Sequence, residues 1–183
     1  MTEYADRYGK VATAFTDRVR AVPAERWDAP APCEGWVARD VVRHLTEWVP
    51  GFLSSYWDLT LPPSPSVDDD PVGAWLALDG ALRNTLDDRA LAASERDSPM
   101  GRSSLEAVLD QIVTGDVLIH TWDLARATGL DEGLDPDEVH AMLLGVEPMD
   151  EALRSSGHYG PRVAVAEGAD EQTRLLAFLG RHP

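Results

Sequence analysis

The stretch SSLEAVLDQIVTGDVLIHTWDLARAT, from Ser103 to Thr128, decides the fold class and carries most of the chemistry. Leu105, Leu109 and Ile112 recur at steps of four and three, the spacing of one helix face, and Gly129 stands where a left-handed C-terminal cap belongs. Continuing that stripe by steps of four and three meets Asp116, His120 and Asp123. Three polar groups therefore fall on the face that the preceding turns bury. A buried carboxylate without a partner is heavily penalised, so Asp116 and His120 require each other, other polar groups or a metal ion.

The same periodicity extends in both directions. Tyr4, Tyr8, Val11, Phe15 and Val19 mark a first helix, after which Pro23, Pro30 and Pro32 make Val22 to Trp36 an irregular connection. A second helix starts at Val37, carries Val41, Leu45, Trp48, Phe52 and Tyr56, and must stop before the proline-rich run at Leu61, which with Asp68 to Asp70 forms a solvated loop. A third fits Val72 to Leu91 through Trp75, Leu78, Leu82 and Leu86, followed by a turn at Ser98-Pro-Met-Gly. Asp135-Pro136 opens a further helix with Val139, Leu143, Val146 and Leu153 inward. Gly157 to Gly168 reads as a loop with a short strand at Arg162 to Ala166, and Gln172 to Leu179 as a terminal helix. Four long amphipathic helices predict an all-α four-helix bundle with short C-terminal elements. Without an internal repeat or a dividing linker, residues 1–183 are expected to be a single helical domain.

Composition narrows the function. A chain of 183 residues, 44% of them hydrophobic, can bury a full core. Its 32 acidic against 16 basic residues give a formal charge of −16 with no basic cluster, which excludes tracking of nucleic-acid phosphates. No apolar run approaches the roughly 20 residues of a membrane span, and the first ten residues are polar and acidic, so the expectation is a cytoplasmic protein that does not contact a membrane. A single cysteine, Cys33, cannot make an internal disulfide, in keeping with a reducing compartment.

On the second helix the stripe Val41, His44, Trp48, Phe52 places another imidazole inward. Two histidines and one carboxylate from two helices match the ligand set of a mononuclear catalytic metal site with open positions. The plainer alternative stays open: hydrogen-bonded core histidines and an ordinary i,i+4 contact. Asp123 either orients His120 or a metal-bound water, or pairs with Arg126 three residues on. Arg43 and Arg126 are candidates to grip a carboxylate, although Arg43 precedes His44 by one position and points about 100° away from it. Gly115 costs about 1 kcal/mol relative to Ala in mid-helix and suggests tight packing. Cys33, Trp36 and Trp122 read as packing residues, and His158 as a loop residue at the surface or the mouth of the site; His140 and His182 are set aside.

These residues also resemble a known family. Pro-Cys-Glu-Gly-Trp-Val-Ala-Arg-Asp-Val-Val-Arg-His (Pro32 to His44) and Asp-Val-Leu-Ile-His-Thr-Trp-Asp-Leu-Ala-Arg-Ala-Thr-Gly (Asp116 to Gly129) are similar to the actinobacterial branch of the DinB-like superfamily that includes mycothiol-dependent maleylpyruvate isomerase. Gly157 to Pro161 and Asp170 to Arg181 resemble that branch's ending. The resemblance implies a bundle holding a divalent metal, zinc or nickel, through His44, Asp116 and His120. The isomerase pattern has Glu at the position of Asp116. It further implies an enzyme in which the metal activates a low-molecular-weight thiol, mycothiol, for transfer to or isomerisation of a small electrophile. Asp123 and Arg126 are the expected catalytic groups. The expected partners are a small-molecule thiol and an electrophilic substrate, with a homodimer left open. Hydrolysis by a metal-bound hydroxide, with Asp123 or Glu47 as base, and a binding protein without turnover are the alternatives.

Overall fold

The computed structural model describes residues 2–98, 101–155 and 160–183, with the backbone alone at Ala152. His158 and most of the turn after Ser98 lie outside the described residues. Helix α1 spans Glu3–Ala21, its first turn capped by the Thr2 side chain, which accepts from the Ala5 amide. Its inward face is Tyr8, Val11, Ala12, Phe15 and Val19, while Tyr4, placed inward by spacing, is exposed because Ala5 takes that position. Helix α2 covers Ala38–Trp57; the Asp40 carboxylate accepts from the Val37 amide at 2.9 Å, and Asp58 ends the helix in the left-handed region at φ 52°. Helix α3 is Pro71–Asp87, begun by the Asp70 cap and the first-turn proline.

The third helix does not reach Leu91, because the Asp88 carboxylate accepts from the Ala90 and Leu91 amides and caps a separate short helix, α4, Arg89–Ala92. The turn at Ser98 belongs to an antiparallel hairpin of β1, Glu95–Ser98, and β2, Gly101–Ser104. The long segment after it is also divided. Ser104 caps α5, Leu105–Val108; a π turn follows at Leu109–Thr114, and α6 runs Gly115–Thr128 to a left-handed Gly129. The Thr114 hydroxyl donates to the Leu109 carbonyl five residues back, and Arg7 reaches across from α1 to the Asp110 carboxylate and carbonyl. A π turn holds one more residue than an α turn, so the phase of the stripe slips inside it. Ile112 ends half-buried and Val113 fills the core in its place.

The four long elements close a bundle in which α1 and α2 each pack against α3 and α6, leaving α1 and α2 on a diagonal. Phe15 meets Trp75 edge-on at 4.6 Å, and the Trp75 indole donates to Thr16 at 2.8 Å. Helix α7, Pro136–Val146, a 3-10 turn at Glu147–Met149, helix α8, Asp150–Ser155, and helix α9, Glu171–Phe178, follow. Val139, Leu143, Leu175, Phe178 and Leu179 gather around Ile119 and cover the outer side of α6. Helix α6 is thus buried on nearly every side; within it only Asp116 and Arg126 keep real exposure. Arg162 to Ala166 is not a strand: the Val163 amide donates to the Ala177 carbonyl at the end of α9 rather than to a neighbouring strand. Among the described residues no helix is long and apolar enough to cross a membrane.

Candidate metal centre

Helix α2 brings His44, and α6 brings Asp116 and, one turn later, His120. The Asp116 carboxylate lies between the two imidazoles, Oδ2 3.1 Å from His44 Nε2 and Oδ1 3.4 Å from His120 Nε2. One donor atom from each residue lies within 4.8 Å of the other two. Bonds of about 2.0–2.1 Å around a tetrahedral zinc place neighbouring ligand atoms about 3.3 Å apart, so this donor set fits a divalent cation with little rearrangement. The shorter carboxylate of Asp116 spans both rings without a further methylene. His120 is almost fully buried while the His44 and Asp116 side chains are 33% and 27% exposed, so the cluster opens on the His44 side.

A second layer holds the first in place. Asp123, fully buried, takes His120 Nδ1 at 2.9 Å, which directs Nε2 toward Asp116. Arg181, beyond the end of α9, donates to Asp123 at 2.8 Å and 3.3 Å. Trp48 donates its indole N–H to Asp116 Oδ2 at 2.9 Å. Trp36 lies near-parallel over His120, with centroids 5.8 Å apart and planes 21° apart, and 5.2 Å from His44. Its ring therefore packs against both clustered histidines. Burial resists ionisation of Asp116, but His120 and His44 outweigh it and hold that carboxyl well below the usual range. Burial likewise opposes charge on His120, yet Asp116 and then Asp123 raise it to about 9, so the free cluster carries an imidazolium.

Other expected residues are placed elsewhere. Arg126 is not brought to the cluster: it is exposed on α6, pairs with Glu132 at 2.8 Å and lies over the buried Trp122 ring. The partner of Asp123 is Arg181, a residue that spacing arguments missed although it ends the C-terminal stretch carrying the resemblance. Arg43 is paired with Asp40 and Asp68. Glu47 is exposed, 3.9 Å from Arg43. His140 pairs with Glu171. Cys33 Sγ sits 3.6 Å from Asp123, and burial, reinforced by that carboxylate, pushes its thiol up to about 12. Cys33, His120 and Asp123 also converge, but through the Nδ1 that Asp123 already holds. A methyl group on Gly115 would meet only the flexible end of Met142 at 3.6 Å, an ordinary contact, so close approach does not require the glycine.

Fold and cluster together define a class: a helical bundle with an inward two-histidine, one-carboxylate centre, open on one side and braced by a buried carboxylate and arginine. Residues 8–58 match the family described as the mycothiol maleylpyruvate isomerase N-terminal domain, a span that contains the Pro32 to His44 motif and bears out the resemblance read from it. Two proteins from two strains of Mycobacterium tuberculosis, both named as uncharacterized, are 28% identical over 181 residues, covering 92% of this chain and 92% of each relative. No solved structure matches the chain. The Asp116 to Gly129 motif lies beyond the matched span, so the family match reaches one of the three clustered residues, His44.

Proposed function

We propose that the protein is a cytoplasmic metal-dependent enzyme in which a divalent metal, zinc or nickel, held by His44, Asp116 and His120, activates a low-molecular-weight thiol for transfer to, or isomerisation of, a small electrophile. The thiol is mycothiol, by the family that residues 8–58 match. The observation that carries the reading is the Asp123 carboxylate on His120 Nδ1, which fixes the ring so that Nε2 joins the other two donors. Bound there, a divalent cation supplies the charge that removes a thiol proton otherwise lost only at a pKa of about 8.5.

The chain's own residues set the stage for that chemistry. Asp123, neutralised by Arg181, keeps His120 oriented and basic. Trp48 fixes the rotation of the Asp116 carboxylate. Cys33 stays a thiol, so the attacking sulfur comes from the co-substrate. The side chains a hydrolytic reading would take as base are engaged elsewhere: Asp123 is fully buried and held by Arg181 and His120, and Glu47 lies at the surface 3.9 Å from Arg43.

Cobalt-substituted protein provides the test. Mycothiol should add a sulfur-to-cobalt charge-transfer band, absent when the ligands are only nitrogen and oxygen, and turnover of electrophiles should require both thiol and metal. An unchanged spectrum with ester cleavage in the absence of thiol would replace this reading with hydrolysis; silence in both assays would leave a binding protein.

A further inference from the structure

Asp116 is the clustered donor with a choice to make. A carboxylate can offer a cation one oxygen or both, and the number decides how many positions the protein fills and therefore which ion fits. Among the described residues three rings meet it: Trp48 Nε1 lies 2.9 Å and His44 Nε2 3.1 Å from Oδ2, and His120 Nε2 lies 3.4 Å from Oδ1. The contacts differ in kind. An imidazole nitrogen that turns its lone pair to a cation gives up its hydrogen bond to the carboxylate, whereas an indole N–H only donates and never ligates. The Trp48 bond is the one that persists when the donors close on an ion.

The setting of that bond makes it firm. Trp48 stands four residues after His44, so the tether and a ligand cross to α6 from one helix. Its indole is half-buried and packed beside His44 and Phe52, with ring centroids 6.0 and 6.1 Å away. The acceptor is ionised, because His120 and His44 hold the Asp116 carboxyl well below the usual range, and a hydrogen bond to a charged acceptor partly shielded from water is among the stronger ones. An aspartate side chain turns about only two bonds. With Oδ2 kept on the indole, little freedom remains to swing both oxygens onto an ion.

We propose that Trp48 selects the metal: by holding Oδ2 it keeps Asp116 a single-oxygen donor, and the resulting set of two nitrogens and one oxygen takes zinc in preference to nickel. Zinc is satisfied by three such protein donors and one outside ligand in a tetrahedral array, whereas nickel with nitrogen and oxygen donors favours a square or tetragonal array that a second carboxylate oxygen would help to fill. The inference rests on the ligand set of the proposed function and not on its thiol. Trp48 acts through Asp116 and is a positioning residue.

The test compares metal-free wild type with Trp48→Phe, which keeps a ring and removes the N–H, and with Phe52→Leu, which trims the neighbouring ring and keeps the N–H. Zinc and nickel affinities are read by competition with a chromophoric chelator, and coordination from the visible spectra of the cobalt forms. Wild type should hold zinc more tightly than nickel and show the intense cobalt bands of a four-coordinate ion. Trp48→Phe should lose zinc affinity about 10- to 100-fold, the cost of removing a ligand's outer hydrogen-bond partner, keep nickel affinity within about threefold, and show the weak cobalt bands of higher coordination. Phe52→Leu should match wild type. Weak bands in wild type overturn the proposal without any variant having to fold. A Trp48→Phe protein with an unchanged zinc-to-nickel ratio also overturns it, as does a Phe52→Leu protein that shifts the ratio equally, since ring packing and not the N–H would then be the cause. No thiol enters these measurements: a wild type that binds no metal ends the ligand assignment and this proposal with it, whereas a mycothiol band that fails to appear on cobalt protein ends thiol transfer and leaves Trp48 its role.

Discussion

His120 sits between two carboxylates, and the proton they hold on it is the one a metal must displace. Because its pKa is raised from 6.5 to about 9, metal binding at pH 7.5 should release about one proton per chain, and apparent affinity should climb with pH until about 9 and then level. Zinc titrations in weak buffer with a pH indicator, at three pH values, measure both. The sign for folding follows from the same shift. A raised pKa contributes stability that is complete below about 6.5 and is lost as pH passes about 9, so the metal-free melting temperature should drop between pH 7 and pH 10, and the zinc-loaded protein should lack that drop. No proton release, and no difference between the two melting profiles, would mean that His120 is neutral in the free protein. The shared face of Asp116, His120 and Asp123 was legible in the sequence because all three lie on one uninterrupted helix, α6, although the stripe that pointed this face inward was counted across the π turn before it. Of the two alternatives left for Asp123, the contact with His120 is the one formed, and the arginine that joins it stands 58 residues away rather than three.

Between elements, the contact of Arg181 with Asp123 fastens the end of the chain to α6. Removing one member of a buried pair strands a charge, so Arg181→Gln should cost about 3 kcal/mol in denaturant unfolding and weaken metal binding about 10- to 100-fold through His120. The double variant Arg181→Met with Asp123→Asn should regain part of that stability, since no charge is left alone, while metal affinity stays low. Full recovery of metal affinity in the double variant would remove Asp123 from its orienting role. The π turn before Gly115 was the element least visible in the sequence, because an extra residue per turn leaves no mark in composition; its trace is Ile112 where the stripe asks for a buried side chain. The hairpin Glu95–Ser98 with Gly101–Ser104 was hidden for a different reason: its strands are polar and mostly exposed, and lack the alternation that signals a half-buried strand.

For the molecule as a whole, the core and the cluster are separable. The bundle is closed by apolar stripes, and the second apolar layer around Ile119 covers α6 without involving the donors. His44→Ala, Asp116→Ala and His120→Ala should therefore each lose metal at least about 100-fold while keeping a cooperative melt and a helical circular dichroism spectrum. Full metal occupancy in His120→Ala would end the ligand assignment; unfolding of all three, in a wild type that holds no metal, would make the cluster a buried polar network. The broad architecture was legible because helical periodicity is carried by many residues at once, whereas the closing contacts of the C-terminal layer depend on pairs distant in sequence. Cys33 gives this arrangement a further consequence. An enzyme of the proposed kind would risk alkylation by the electrophiles it gathers, and this chain's own sulfur lies against the brace of the centre, 3.6 Å from Asp123. With the thiol held at a pKa of about 12, only about one molecule in 100,000 carries it ionised at pH 7. Under the proposed thiol-transfer reading, such a catalyst would be spared self-poisoning, and its working lifetime would be decoupled from the reactivity of what it consumes.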